Sequence, residues 1–397
     1  MSEETGANNK LSALQERFQQ VYGQPKGTWV AVSAPGRVNL IGEHTDYNEG
    51  YVFPVAINTT VDVMAEAVSG NTVEIFAVGF DEKKTFSVNE REPHSTHCWV
   101  EYPRGVVILL RQRFSSISGM RMVIQGNVPL GAGLSSSAAL EVATAFAVKE
   151  LFGLDINLKD LALLCQKAEH LFAGVNCGIM DQFASALCEE GAALLLDCRN
   201  QETQAVPLPT NQFSLVIVNS MVKRGLVDSE YNTRRRECEQ AVETLKRIYR
   251  KRKIHSLRDV TAEDWRQWKR DLSGKPQLRA QHVITENDRV LRCVQALKEG
   301  DMETFGTLLY EGHGSLKTDY EVTVRELDLL VGFARQSRLV WGARMTGAGF
   351  GGCVVNIAKR GTEDQLCALL AEEYNRATKT VPEFYRCEPS PGVRRIG

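Results

Sequence analysis

Residues 129–140, PLGAGLSSSAAL, carry the strongest chemical signal of this 397-residue chain. A β-rich segment precedes them and small apolar residues at helical spacing follow, so the pattern predicts a strand, a glycine loop and a helix. Free N–H groups at a helix start and the helix dipole favour an anion such as phosphate. Gly131 and Gly133 have no Cβ atom, so a phosphate can come close to the backbone at these positions. Hydroxyls for phosphate oxygens or magnesium come from Ser135, Ser136 and Ser137. The alternative is a serine-capped helix after a flexible turn, and the GxxxxGK[ST] pattern of a Walker loop is missing from this loop.

Two carboxylates stand at unusual positions farther along the chain. Asp181 follows a Gly-Ile-Met turn beside a predicted helix start, where it could act as a base or simply cap the helix. Glu169 interrupts an otherwise apolar helical pattern, which suggests a directed carboxylate, although surface exposure near a helix end is the commoner fate of glutamate.

A third cluster follows the apolar residues 38–41 and places four polar side chains in a row: Glu43, His44, Thr45 and Asp46. Such a cluster supplies both hydrogen-bond donors and acceptors, which a ligand with several hydroxyl groups requires. A metal site is the alternative for the histidine. However, no second histidine lies within one helical turn, so a hydrogen-bonding role is favoured.

Five blocks occur in an order that spans almost the whole chain, and together they resemble the galactokinase family of the GHMP kinase superfamily. They are VSAPGRVNLIGEHTDYN (32–48), PLGAGLSSSAAL (129–140), CGIMDQ (177–182), SEYNTRR (229–235) and RMTGAGFGGC (344–353). The first block is specific to the family, whereas the glycine loops alone indicate only the superfamily.

The resemblance implies an α+β, two-layer, two-domain GHMP kinase fold with the active site in the interdomain cleft. We place the domains at 1–205 and 206–397. The implied reaction transfers the γ-phosphate of ATP to the anomeric hydroxyl of galactose, with Mg²⁺ present. Alternatives are a kinase for N-acetylgalactosamine, galacturonate or arabinose, and a galactose sensor without catalysis. Known sensors resemble galactokinases but lack a small-residue pair in the phosphate loop, and here Ser137 and Ala138 are present.

The resemblance also implies roles for individual residues. Asp181 would be the base and Arg37 its cationic partner. The implied sugar ligands, besides Asp181, are Glu43, His44, Thr45, Asp46, Gly178 and Tyr231. The implied nucleotide loop comprises Gly131, Ala132, Gly133, Leu134, Ser135, Ser136 and Ser137. The implied magnesium ligands are Ser137 and Glu169.

The chain departs from the family pattern at two places. Galactokinases commonly show Trp-Ala-Asn-Tyr in the first domain, and here Trp99 is followed by Val-Glu-Tyr-Pro, so Glu101 and Pro103 could alter an adenine pocket. In the last block, Ala348 stands where glycine is frequent, which narrows the freedom of the backbone.

Composition restricts the remaining function classes. With 43% apolar residues, 24% charged residues and a formal net charge of −2, the chain can bury a core and has no global basic field for nucleic acid. The run 246–253, KRIYRKRK, could bind nucleic acid, but cations are common at helix ends and on solvated faces.

Neither a signal peptide nor a membrane span is predicted. We therefore expect a cytoplasmic protein with small-molecule substrates, and we favour a monomer.

Periodicity predicts the elements that must position these residues. Helices are predicted at 11–22, 99–113, 136–152, 159–172, 229–253 and 280–299, with another beginning near 179. Strands are predicted at 29–34, 52–58, 60–67, 72–78, 120–128, 191–197 and 214–219. The polar segment 201–212 is predicted to be the interdomain boundary, and 342–358 a glycine loop that runs into a strand.

Overall fold

The computed structural model describes residues 2–93, 98–222 and 227–397. The strands of these residues are, in chain order, β1 (Trp29–Asn39), β2 (Tyr51–Val52), β3 (Pro54–Ala67), β4 (Thr72–Ala77), β5 (Glu82–Ser87), β6 (Met120–Gly126), β7 (Ala192–Asp197), β8 (Glu202–Pro207), β9 (Phe213–Asn219), β10 (Val340–Thr346), β11 (Cys353–Lys359), β12 (Glu383–Cys387) and β13 (Arg394–Arg395).

The helices of the same residues alternate with these strands. They are α1 (Ser2–Tyr22), α2 (Glu101–Arg113), α3 (Ser136–Phe152), α4 (Leu158–Ala168), α5 (Met180–Leu187), α6 (Val227–Ile248), α7 (Ala262–Trp268), α8 (Gly274–Glu299), α9 (Met302–Ser315), α10 (Arg325–Ser337) and α11 (Glu363–Thr378). Two π-helical turns extend α4 and α9, at Glu169–Ala173 and Leu316–Tyr320.

The described strands form three sheets. The largest has the order β13-β1-β3-β6-β4-β5, the second has the order β10-β11-β9-β12, and the smallest has the order β2-β7-β8. Most neighbours are antiparallel, but β4 and β6 run parallel. Helices and antiparallel sheets thus occur in one chain, which confirms the predicted α+β class.

The pairing of β1 with β3 contains an irregularity that matters for the site. The register runs from Trp29 opposite Glu66 to Asn39 opposite Pro54, and it shifts between Pro35 and Arg37. A bulge of this kind bends a strand and re-aims the side chains beside it, and proline is tolerated there because no ladder bond is lost. The register shift therefore lies directly beside Arg37 and affects the direction of its side chain.

The hydrophobic core is shared between the two halves of the chain. Along β9, Leu215 and Ile217 pack into the cluster that covers the largest sheet, whereas Val216 and Val218 pack into the cluster around α6, α8 and α10. Successive side chains of a strand point to opposite faces, so one strand contributes to both clusters. The predicted domain limits, 1–205 and 206–397, stay a prediction.

Several predicted elements need correction. The segments 52–58 and 60–67 belong largely to one long strand, β3, because its pairing with β1 is found on both sides of the register shift, at Ala56 and at Thr60. The segment 201–212 is not simply a linker, because it contains β8, which pairs with β7. Helix α6 ends at Ile248 rather than at residue 253. The last glycine loop runs into a strand, β11, as predicted, and it also follows a strand, because residues 342–346 of the predicted loop segment belong to β10.

Candidate active site

The phosphate loop, residues 129–137, connects β6 to α3 as the sequence predicts. Gly131 and Gly133 have φ angles of +71° and +82°, and Ser135 also lies in the left-handed region. Helix α3 begins at Ser136, so the N–H groups of its first turn have no partner within the helix. Next to the loop is a cavity of about 230 Å³ lined by Arg37, Gly131, Gly133, Ser135, Ser136, Ser137, Asp181, Gly347 and Ala348.

Arg37 and Asp181 form a two-pronged ion pair at the edge of this cavity. Nε and Nη2 of Arg37 each donate to a carboxylate oxygen of Asp181 over 2.9 Å, and Nη1 donates to the carbonyl of Gly133 over 2.7 Å. The Arg37 side chain is 5% exposed, and that of Asp181 is 27% exposed. The planar fork of arginine matches a carboxylate in this way, so the carboxylate is held in one orientation.

Asp181 does not cap its helix, so that alternative is wrong. It lies in the first turn of α5, where the cap position is Ile179 and no side chain caps the backbone. A third donor to Asp181 is Ser135, whose hydroxyl donates to Oδ2 over 2.5 Å. Sequence reasoning assigned this hydroxyl to phosphate and missed its contact with the carboxylate, because residues 135 and 181 meet only through the packing of α3 and α5.

Glu169 is buried, so its interpretation as a surface residue is wrong. It begins the π-helical turn after α4, and its carboxylate accepts hydrogen bonds from the Ser137 hydroxyl, from Nε2 of Gln182 over 2.6 Å and from Sγ of Cys177 over 3.2 Å. Burial raises the pKa of Glu169 to about 7. The same nitrogen of Gln182 also donates to the fully buried Glu141 over 3.0 Å. Glu141 is a further residue that the sequence patterns did not single out, although it lies one helical turn after Ser137 on α3.

A second cavity, of about 180 Å³, adjoins the first. Its lining includes every predicted sugar ligand except Thr45, together with Arg37 and Glu169. The full lining is Arg37, Glu43, His44, Asp46, Glu169, Val175, Cys177, Gly178, Met180, Asp181, Tyr231, Gly347 and Ala348. The polar cluster after β1, the turn before α5, helix α6 and the last glycine loop thus converge on one site.

Thr45 is turned away from this cavity, so the prediction that it binds the sugar needs correction. Its hydroxyl contacts the carbonyls of Gly42 and Tyr51 over 2.8 and 2.6 Å. A threonine that bonds to nearby backbone shapes a turn. Thr45 therefore shapes the turn that presents its neighbours to the cavity.

His44 lines the cavity with both ring nitrogens already engaged. Nε2 lies 3.2 Å from the carbonyl of Ala348, which can only accept, so Nε2 carries the proton. Nδ1 then accepts from the hydroxyl of Tyr47 over 2.8 Å. Burial lowers the pKa of His44 to about 3, which keeps the ring neutral. The histidine therefore joins the polar cluster to the last glycine loop, and it presents no free nitrogen to a sugar or a metal.

Asp46 and Tyr231 are enclosed in the same wall. Burial raises the pKa of Asp46 to about 6, and the charge of Asp181 acts in the same direction. The N–H of Tyr47 donates to Oδ1 of Asp46 over 2.9 Å, which opposes the rise. Burial also raises the pKa of Tyr231 well above its usual value, so its hydroxyl stays a donor. The alternative that Tyr231 only fills the core is therefore too narrow, because it borders the cavity.

Glu43 is 1% exposed and forms an ion pair with Arg344, which is 0% exposed. Burial raises the pKa of Glu43 to about 7, and the charge of Arg344 opposes that rise. On its other side, Arg344 Nη1 lies 2.9 Å from Oε1 of Glu286 on α8. Sequence reasoning placed Arg344 in a recognised block without assigning it a role, and it missed Glu286 because no motif contains it.

A third cavity, of about 230 Å³ and mostly apolar, opens on the other side of the phosphate loop. Its lining includes three aromatic residues (Phe80, Trp99 and Tyr102), Leu130 of the phosphate loop, and two of the serines (Ser136 and Ser137). Glu101 and Pro103, the departures from the family pattern, do not line it. Instead, Glu101 is buried beside Arg104, which donates to it over 2.7 Å. A flat apolar ligand fits a cavity of this chemistry.

The basic run 246–253 has acidic neighbours on the described surface. Lys246 donates to Glu243 over 2.7 Å and Arg252 donates to Asp264 over 2.9 Å. Lys246 and Arg247 occupy the last turn of α6, where positive charge is favoured. Among residues 2–93, 98–222 and 227–397, no helix has the length and apolar character that crossing a membrane requires.

Comparison with known proteins gives a consistent result. The family model described as the galactokinase galactose-binding signature matches residues 16–66, GHMP kinases N terminal domain matches 101–189, and GHMP kinases C terminal matches 293–376. A galactokinase of Roseiflexus sp. (strain RS-1) is 44% identical over 96% of both chains, and one of Haemophilus influenzae is 44% identical over 92% of this chain and 95% of its own.

Solved structures agree with this assignment. The crystal structure of Lactococcus lactis galactokinase complexed with galactose superposes with a TM-score of 0.92 at 34% identity, covering 97% of this chain and 99% of that one. The Methanococcus jannaschii mevalonate kinase, at 18% identity and a TM-score of 0.66, shares the fold. The predicted GHMP kinase fold and the predicted family are confirmed, and this chain belongs to the galactokinase family of the GHMP kinases.

Proposed function

We propose that this protein transfers the γ-phosphoryl group of ATP to the anomeric hydroxyl of α-D-galactose, giving galactose 1-phosphate and ADP. One observation carries the proposal. The Arg37–Asp181 pair lines both the cavity with the polar cluster and the cavity beside the phosphate loop. A hydroxyl bound on one side and a phosphate bound on the other would therefore meet at this pair.

Asp181 is the proposed base. Its carboxylate accepts the proton of the anomeric hydroxyl as the sugar oxygen forms its bond to the γ-phosphorus and the bond to the departing ADP oxygen breaks. Arg37 and Ser135 hold the carboxylate so that one orientation is available for this transfer. The guanidinium would also stabilise the negative charge that develops on the phosphoryl oxygens.

The nucleotide is proposed to lie across the phosphate loop. The first-turn N–H groups of α3 would bind its phosphates. The apolar cavity with Phe80, Trp99 and Tyr102 would receive the adenine, since aromatic rings stack on a flat base. The buried contact of Glu101 with Arg104 supports an adenine site that the departures from the family pattern leave intact.

Ser137 and Glu169 are the proposed ligands of Mg²⁺. Among the residues described, no group of three or more His, Cys, Asp or Glu side chains could hold a metal ion. Two protein oxygens suit magnesium, which keeps waters and shares its shell with phosphates. When bound, the ion neutralises charge on the phosphoryl oxygens. Gln182 and Cys177 orient the carboxylate of Glu169 for this role.

The substitution Asp181→Asn tests the proposed base. The amide keeps the shape of the side chain and cannot take the proton, so turnover should fall by about 10²–10⁴-fold while the Kd of galactose, measured by calorimetry, changes far less. Asp160→Asn, on the partly exposed surface of α4, is the matched control. A folded Asp181→Asn enzyme that keeps most of its turnover would contradict the role of base.

A panel of sugars tests the substrate. ADP release is measured with galactose, N-acetylgalactosamine, galacturonate and arabinose at equal concentrations. We expect galactose to have the highest kcat/KM. Faster turnover of another sugar would reassign the substrate, and calorimetric binding of galactose without any ADP release would make the protein a sensor.

A further inference from the structure

A cluster of four charged side chains lies behind the wall of the sugar cavity. It consists of Glu43, Glu286, Arg289 and Arg344, which are 1%, 0%, 8% and 0% exposed. We call these residues the buried charge cluster. They come from three separate parts of the fold: the loop after β1, helix α8 and strand β10.

The contacts within the buried charge cluster form a chain. Arg289 donates from Nε to Oε2 of Glu286 over 2.7 Å, and Glu286 Oε1 lies 2.9 Å from Nη1 of Arg344. Arg344 then contacts Oε2 of Glu43 through Nη2. Glu286 Oε1 also accepts from the N–H of Gly42 over 3.1 Å. Through Glu286, helix α8 therefore contacts the backbone just before Glu43 and also contacts Arg344, which pairs with the side chain of Glu43.

Charge balance explains how the cluster stays buried. Two carboxylates face two guanidinium groups, and the pKa of Glu286 lies below its usual range because the charges of Arg344 and Arg289 outweigh the effect of burial. Buried ion pairs add little net stability compared with apolar residues of similar size. Stability alone therefore does not explain four charges at this place.

Glu43 is the member of the cluster that lines the sugar cavity. Its Oε2 is in ion-pair contact with Nη2 of Arg344 and the N–H of Glu43 itself bonds to the carboxylate, but neither oxygen has a well-aligned hydrogen bond to another described residue. A buried carboxylate oxygen without a donor is costly unless a ligand supplies one. The carboxylate at the cavity wall thus keeps unused acceptor capacity, and its Oε1 is the oxygen that Arg344 does not contact.

We infer that Arg344 and Glu286 are positioning residues for sugar recognition, which hold Glu43 so that its free oxygen accepts from one hydroxyl of the hexose. The inference rests on the proposed function, and it deepens it by naming the residues that set specificity at one sugar position. The partner of Glu43 is an O–H donor, so a sugar that lacks this hydroxyl leaves a buried acceptor unpaired and is rejected.

The test is a double-mutant cycle on Arg344→Lys and Glu43→Gln with 2-, 3-, 4- and 6-deoxygalactose as probes. Lysine keeps the charge and loses the fork, so it cannot hold Glu43 and Glu286 together. We expect Arg344→Lys to raise the galactose Kd, measured by calorimetry, about 10–100-fold, the worth of a hydrogen bond to a charged group. The KM of ATP should stay within about twofold.

Two results distinguish positioning from a general structural role. Arg344→Lys should lose its preference for galactose over only one of the four deoxy sugars. Glu43→Gln should lose its preference over the same deoxy sugar. In the Glu43→Gln background, Arg344→Lys should add less than about twofold, since the two residues act as one unit. An equal effect in both backgrounds, or an equal rise in the KM of ATP, would overturn the inference.

Arg279→Lys is the matched control, because Arg279 is equally buried and bonds to Glu237 and Glu321 away from the cavity lining. If Arg344→Lys does not fold, Glu286→Gln replaces it, and the same deoxy position should change. No change at that position would overturn the inference. If the wild type prefers another hexose, the proposed function fails, and the cycle is then measured with that hexose and its deoxy analogues.

Discussion

The two glycine loops of this protein resemble each other in sequence and differ in what their glycines do. In the phosphate loop, a Cβ atom added to Gly131 would meet no atom within 4 Å. In the loop between β10 and β11, a Cβ added to Gly349 would lie 2.3 Å from the carbonyl oxygen of Val322. Both residues have positive φ angles, +71° and +81°. The first glycine borders open space, and the second allows two backbone segments to touch.

Glycines of the two loops differ in whether they border ligand space or allow close packing of the backbone. Space beside Gly131 is where a phosphate can approach, so the glycines of the phosphate loop serve a ligand. In the second loop, Gly349 serves the packing of the chain, whereas its neighbours Gly347 and Ala348 border both cavities, and the carbonyl of Ala348 lies against Nε2 of His44. Glycine is thus required for ligand space at Gly131 and for close backbone packing at Gly349, and substitutions at the two positions should have different effects.

The largest effect is expected from Gly349→Ala. The added Cβ meets backbone that cannot rotate away, and the positive φ adds strain, so the free energy of unfolding should fall by about 3 kcal/mol or more. Urea unfolding followed by circular dichroism measures it. A Gly349→Ala protein as stable as the wild type would break the comparison.

A smaller effect is expected from Ser135→Ala. This change removes the hydroxyl that donates to Asp181, while Arg37 continues to hold the carboxylate. We expect turnover to fall about 10–100-fold, the value of one lost hydrogen bond to a charged group, with the unfolding midpoint nearly unchanged. If the KM of ATP rose and kcat did not fall, the hydroxyl would serve phosphate as the sequence suggests.

Gly131→Ala should cost less in stability than Gly349→Ala and should act on the nucleotide. The left-handed φ costs alanine about 1 kcal/mol, and there is no clash to add to it. We expect the KM of ATP to rise several-fold while the Kd of galactose is unaffected. A stability loss as large as that of Gly349→Ala would show that the two loops are alike.

The smallest effect is expected from Ala348→Gly, which restores the residue frequent in the family. Ala348 does not have a positive φ, so alanine fits there, and glycine only adds freedom to the unfolded chain. The free energy of unfolding should fall by about 0.5–1 kcal/mol with kcat unchanged. A gain in stability would indicate that the methyl group strains the loop.

Local patterns predicted much of this fold. Helix α3 spans the predicted residues 136–152 because its start signal and its apolar spacing lie in one stretch of sequence. The long strand β3 was harder to predict, since its continuity depends on pairing with β1 rather than on its own residues. Family blocks located Glu43 and Asp181 and paired Asp181 with Arg37, but they gave no partner for Glu43 and did not connect Ser135 with Asp181.

The partners come from distant parts of the chain. Arg344 meets Glu43, Ser135 meets Asp181, and Gln182 joins Glu169 to Glu141. Which side chains meet across two sheets depends on packing that no local pattern encodes. For the same reason, the turning of Thr45 away from the cavity and the engagement of both nitrogens of His44 could be found only in three dimensions.

The pairing of β13 with β1 has a consequence for how the chain folds. Val32 and Arg395 are cross-strand partners, and the bonds between them form only after nearly all of the intervening chain has been synthesised. Contacts with so large a sequence separation raise the contact order and slow folding. Until residues 394–395 leave the ribosome, Val32 and Ser33 of β1 lack their cross-strand partners, and nascent chains at that stage are open to non-native strand addition at this edge.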